Sequence, residues 1–134
     1  VKDVDFGGRY LLIREPKGGR DRRALLPEAA RVPLKRQIEH VKAVHRRDID
    51  GGSGGVAVPG ALELKYPRAG REFRWQWVFP ATSRYTEPQT GLARRHHYHQ
   101  TAVQRAVRAA VKAAGITKHA TCHTFRHSFA THLL

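Results

Sequence analysis

Apolar and polar positions alternate in short runs over the first part of the chain. Val4 to Phe6, Tyr10 to Ile13 and Arg22 to Leu26 are separated by two glycine-bearing connections, "GGR" and "PKGGRD". Runs of this kind joined by glycine turns predict an antiparallel three-stranded meander over 1–27, with Lys17 at the tip of its second turn and Pro27 closing it. The period then changes. Leu34, Ile38, Val41 and His45 recur at helical spacing, and Pro33 suits a first helical position, so one helix is predicted within 28–50.

Four glycines and a serine between Asp50 and Val56 predict a flexible linker. Beyond it, "ALELKY" predicts a short helix and "WQWVFP" a strand. In that strand Phe73, Trp75 and Trp77 alternate with Arg74, Gln76 and Val78. From His99 onward, Val103, Val107, Ala110, Val111 and Ala114 mark one face of a helix ended by Gly115. A last helix opens near Thr121 or Thr124. The expected class is α+β, mixed and mostly helical, with a small antiparallel three-stranded sheet and no internal repeat.

The chain has 134 residues, enough for one core but not for two. Lys and Arg number 25 against 11 Asp and Glu, a formal net charge of +14. So much like charge repels itself unless a polyanion neutralises it, which points to a phosphate-rich partner. Charge alone separates nucleic acid poorly from an anionic membrane. Nothing approaches the roughly 18 apolar residues of a membrane span, and no partner membrane is expected. The lone Cys122 excludes an internal disulfide, and the first residues carry no signal-peptide core, so a cytoplasmic protein is expected. The absence of methionine and the abrupt finish at Leu134 suggest a piece of a longer reading frame.

At roughly 100° per residue, His123, Arg126, His127 and Ala130 share one face of the last helix, and Phe125, Phe129 and His132 another. The aromatic face is expected to anchor the helix. A guanidinium fork matches two phosphate oxygens, and a nearby imidazole exchanges a proton near neutral pH. Spacing alone fits a solvated basic face equally well. His96, His97, His99, Cys122, His123 and His127 are donor types that zinc accepts, yet there is no Cys-x-x-Cys or His-Glu-x-x-His, so no metal site is expected.

"HTFRHSFATHLL" resembles the His-x-x-Arg box of the tyrosine recombinases, the phage-integrase family, and "VKDVDF…YLLIREPKGGRDRRALLP" resembles their lysine-bearing β-meander. The resemblance implies Lys17, His123 and Arg126 as catalytic residues, with no cofactor. Arg126 would stabilise charge on the nonbridging oxygens of the scissile phosphate. Lys17 would protonate the leaving 5′ oxygen, and His123 would assist proton transfer or hydrogen-bond the phosphate. In that family a tyrosine forms a 3′-phosphotyrosyl bond that conserves the phosphodiester energy. The family's first arginine would fall before Val1 and its nucleophilic tyrosine past Leu134, so the chain alone is expected to be inactive. Tyr10, Tyr66, Tyr85 and Tyr98 are poor substitutes, since each falls in a strand or in the middle segment.

Residues 51–98 resemble the insertion that sets integron integrases apart, and 99–134 would supply two helices including the box. "FRWQWVFP" and "RRHHYH" place aromatic planes beside arginines, a combination that suits unstacked bases. The resemblance implies Trp75, Trp77, Arg94, Arg95, His96 and His97 as DNA-binding residues. The partners implied are folded single-stranded hairpin sites and a double-stranded attachment site, with the full-length protein tetrameric on DNA. An alternating aromatic strand serves equally well as core, which would bury at least one tryptophan. The rivals are a non-catalytic DNA-binding remnant and a generic phage-type recombinase acting on duplex sites.

Overall fold

The computed structural model describes residues 1–14 and 19–132. Lys17 lies outside the described residues. The chain divides into two compact units, Val1–His97 and Tyr98–Leu134.

The first unit opens with the expected meander. Strands β1 (Val4–Asp5), β2 (Tyr10–Ile13) and β3 (Arg22–Leu25) form an antiparallel sheet in the order β1-β2-β3. Its register pairs Val4 with Leu11, and Leu11 in turn with Ala24. The first connection is fastened by the Gly8 amide donating to Asp5 Oδ1 at 2.7 Å.

Helix α1 runs from Glu28 to Asp50, starting directly after Pro27 and placing Pro33 inside it. The helix therefore begins a turn earlier than Pro33 suggested. Proline removes one backbone donor, and here the acceptor it leaves four residues back, on Ala29, belongs to an exposed residue that water can reach. The apolar spacing holds: Val41 is fully buried, with Leu34, Ile38 and His45 partly covered on the same side.

The glycine-rich stretch is not a flexible linker. Gly52, at φ 78°, takes the left-handed position that ends α1: its amide donates to the Ile49 carbonyl and that of Ser53 to the Asp48 carbonyl. Ser53 Oγ donates to the same Asp48 carbonyl at 3.0 Å. Ser53, Gly54, Val56 and Val58 are buried, and the Val56 amide donates to the Gly70 carbonyl. A Cβ on Gly70 would lie 2.5 Å from the Val56 carbonyl oxygen, so glycine there permits the approach. The core is thus Leu26, Val41, Val56, Val58 and Ala69.

Helix α2 (Gly60–Lys65) forms where "ALELKY" predicted it. The expected strand at "WQWVFP" does not form. Phe73–Trp75 make a single 3-10 turn, and Gln76 follows in extended conformation. The polar side chain wins the inside position: Gln76 Nε2 donates to the carbonyls of Gly70 and Glu72 at 2.9 and 3.2 Å, while Trp77 faces out. Three backbone carbonyls gathered around one amide satisfy it in the interior, so strand alternation has no hold on this segment. The unit ends in a ribbon of β4 (Tyr85–Thr86) and β5 (Ala93–Arg94).

The second unit holds α3 (Gln100–Ala113) and α4 (Cys122–His132). His99 caps α3 by accepting from the Thr101 amide, and Gly115, at φ 64°, closes it, with the Ile116 amide donating to the Val111 carbonyl. Thr121 and Thr124 cap α4 reciprocally, each hydroxyl accepting from the other's backbone amide at 3.4 and 3.1 Å. Among the described residues, four α-helices, two 3-10 turns and five short strands make the molecule α+β, with helix the larger part.

Candidate nucleic-acid interface and catalytic box

The residues expected to meet DNA fall into two groups. Trp77, His96, His97 and Tyr85 form a cluster of rings. The indole centroid of Trp77 lies 5.2 Å from that of His97, edge-on, and 6.0 Å from that of His96. The two imidazoles are 4.1 Å apart, and Tyr85 meets His96 edge-on at 6.2 Å. All four residues are exposed, Trp77 to 38%. The backbone holds them there: the Ala81 amide donates to the His96 carbonyl at 2.7 Å, and Pro80 bridges to His97. Tyr85 was not among the expected set, since its position 11 residues before His96 becomes proximity only through the β4–β5 ribbon.

Arg94 and Arg95 behave otherwise. Arg94 is buried; its Nη2 meets Glu63 at 2.7 Å and Glu87 at 2.9 Å, and Nη1 donates to the Val56 carbonyl. Arg95 holds both oxygens of Asp48, at 2.6 and 2.8 Å, and donates to the carbonyls of Ala81 and Thr82. These hydrogen bonds raise both guanidinium pKa values, and the Arg95 bond holds the Asp48 carboxyl below its usual range. Both forks are therefore committed to carboxylates and act as internal struts of the first unit. Trp75 is half-buried, with the Lys2 ammonium 4.8 Å from its ring centroid and its Nε1 buried without an acceptor. Of the two tryptophans it is the one set among packed residues.

On α4, His123 and His127 converge: their Nε2 atoms are 2.7 Å apart and their rings meet edge-on at 4.2 Å. One turn of helix separates the two residues, as the helical pattern required. Arg126 stands exposed on the same helix. Phe125 and Phe129 are 49% and 43% exposed, so the expected anchoring face is open among the described residues. No group of three or more His, Cys, Asp or Glu among the described residues is placed to hold a metal ion. No helix among them is long and apolar enough to cross a membrane.

The phage integrase family model matches residues 1–134, the whole chain. The chain belongs to the phage integrase family. Two proteins described as integrase/recombinase, one from Escherichia coli and one from Pseudomonas aeruginosa, are each 48% identical to this phage integrase chain over 134 residues. The match takes in all of this chain and 40% of each relative, so the chain spans two-fifths of the length of those proteins. Within the phage integrase family, the α4 His-x-x-Arg spacing and the β1–β3 meander are the two parts of this molecule that carry the resemblance read from its sequence.

Proposed function

We propose that this chain is the central part of the catalytic domain of a site-specific tyrosine recombinase of the integron-integrase type. The observation that carries the specific reading is the exposed ring cluster of Trp77, Tyr85, His96 and His97. Exposed aromatic planes are costly to leave against water and useful against an unstacked base, where each stacking interaction is worth about 1–3 kcal/mol. A regular duplex hides its base faces, so the partner that fits is a folded single strand with extrahelical bases.

Catalysis belongs to the second unit and to the β2–β3 connection. Arg126 neutralises the nonbridging oxygens of the scissile phosphate as charge builds in the transition state. His123, hydrogen-bonded to His127, moves a proton at the phosphate or the nucleophile. Lys17 protonates the departing 5′ oxygen, and a tyrosine outside these 134 residues takes the phosphorus as a 3′-phosphotyrosyl ester. The ester bond stores the phosphodiester energy, and a second 5′ hydroxyl reverses the step on a partner strand. The reaction consumes no cofactor. Four copies act together in a bacterial cytoplasm, exchanging gene cassettes between hairpin sites and a double-stranded attachment site.

The test uses the full reading frame that contains this chain, with matched hairpin and duplex substrates. Binding should favour the hairpin, and Trp77→Ala or His97→Ala should reduce hairpin binding at least about tenfold, the worth of one stacked base. Equal affinity for duplex, unmoved by either substitution, would leave a generic duplex-acting recombinase. Binding without any cleavage by the full-length protein would leave a DNA-binding remnant.

A further inference from the structure

One wall of an open cleft of about 630 Å³ is helix α1, and the opposite wall is the segment from Pro80 to Arg84. That volume falls within the range of small-ligand sites. His40 and Arg47 line it from α1, Arg84 from the other side. Asp48 is the carboxylate in the lining, and both its oxygens are already held by Arg95. Asp48 and Arg95 cancel, leaving the remaining charge in the cleft positive.

Arg84 Nη1 donates to the buried Ser53 Oγ at 2.8 Å, which fixes the side chain and leaves the rest of its fork available. Arg47 is exposed and has no ion-pair partner among the described residues. Arg95 already neutralises Asp48, whose charge also reaches Arg84, so Arg47 and Arg84 leave the cavity with a net positive charge that an anion would offset. The hydroxyls of Thr82 and Ser83 add neutral donors at the same wall.

The cleft adjoins the ring cluster. The segment that forms its wall is bonded to the histidine segment that follows β5, through the Ala81 amide to the His96 carbonyl and the Pro80 bridge to His97. It continues directly from Arg84 into Tyr85, which meets the His96 ring. A strand that lays a base on the rings therefore carries its backbone toward the cleft.

We infer that this cleft binds the sugar-phosphate backbone of a nucleic-acid strand whose neighbouring base stacks on Trp77, His96 and His97, with Arg47 and Arg84 as the phosphate donors. The inference rests on the nucleic-acid reading above and adds to it a phosphate site outside the catalytic box. Arg95, next to the histidines in sequence, builds its scaffold through Asp48, while Arg47 and Arg84 reach the phosphates.

The experiment measures binding of a labelled DNA hairpin with extrahelical bases, as a function of salt, to the full-length protein and its variants. Removing one arginine–phosphate interaction with a single strand should flatten the slope of log K against log[salt] by about 0.7. Arg47→Gln should flatten it by about that amount, and Arg47→Gln/Arg84→Gln by about twice as much, for every sequence tested. Trp77→Ala should weaken binding of the hairpin and leave the slope unchanged. A slope unchanged in Arg47→Gln overturns the cleft assignment while the stacking reading stands; this single variant removes no bond of the fold. Trp77→Ala binding like the parent overturns the stacking reading and with it the paired base-and-backbone site, even if the slope responds. A parent protein that binds no DNA overturns both.

Discussion

Arg95 holds both carboxylate oxygens of Asp48 across 47 positions of sequence, tying the end of helix α1 to the segment after β5 that presents the histidines. The pair is nearly buried, with side chains 14% and 9% exposed. Removing one partner strands a charge in the interior. Asp48→Asn should therefore cost about 3–5 kcal/mol, read as a shift of the denaturant midpoint.

The same pair sets a pH dependence. Arg95 holds the Asp48 carboxyl below its ordinary value, so the native state loses this proton more readily than the unfolded chain. Its stabilisation is complete above an unfolded carboxyl pKa of about 3.9 and drains away as pH falls through the lower native value. Asp48→Asn should show a shallower loss of stability below about pH 4 than the parent, measured by thermal denaturation across acid pH.

Gly70→Ala places a methyl 2.5 Å from the Val56 carbonyl oxygen, a backbone atom that cannot swing aside. A cost of about 1–3 kcal/mol is expected. Gly60→Ala, where nothing lies within 4 Å, should be neutral or slightly stabilising at the start of α2. Parallel urea titrations of the two variants check the contrast.

In the full-length protein, Arg126→Ala should lower cleavage by at least about 10²–10³ while site binding stays largely intact. Lys17→Ala should lower cleavage of ordinary DNA and recover on a substrate whose leaving group needs no proton. Surviving cleavage in the first case, or absent rescue in the second, would remove the corresponding role.

Thr121→Ala removes one half of the reciprocal cap on α4 and should cost about 1 kcal/mol of helix stability, seen as lower helical circular dichroism. Thr124→Ala should cost about as much through the other half.

The meander and the long helices were legible because their signals are local. Glycine turns between β-rich runs and a repeating apolar face need no knowledge of the rest of the chain. The segment 51–79 misleads for the opposite reason. Its glycines look like slack, but Gly52 ends a helix and Gly70 admits a neighbouring backbone, both decided by partners elsewhere in the fold. Gln76 reads as the outward residue of a strand and sits inside, since the carbonyls that satisfy it belong to Gly54, Gly70 and Glu72. Among site residues, the aromatic-histidine set was visible as composition. That Arg94 and Arg95 are struts was not, because their carboxylates are supplied by Glu63, Glu87 and Asp48, up to 47 positions away.

The turn from Gly52 to Val56, buried at Ser53, Gly54 and Val56, also decides where this protein tolerates being altered. A stretch of glycine and serine is where an engineer would graft a fluorescent tag, a protease site or new chain ends. Here those residues cap a helix, fill the core and brace the Arg84 side chain, so an insertion there would take apart the face proposed above to hold DNA. The exposed tip around Gly91, at the turn of the β4–β5 ribbon, offers the ring cluster's own unit a place for such a graft that leaves the interior untouched.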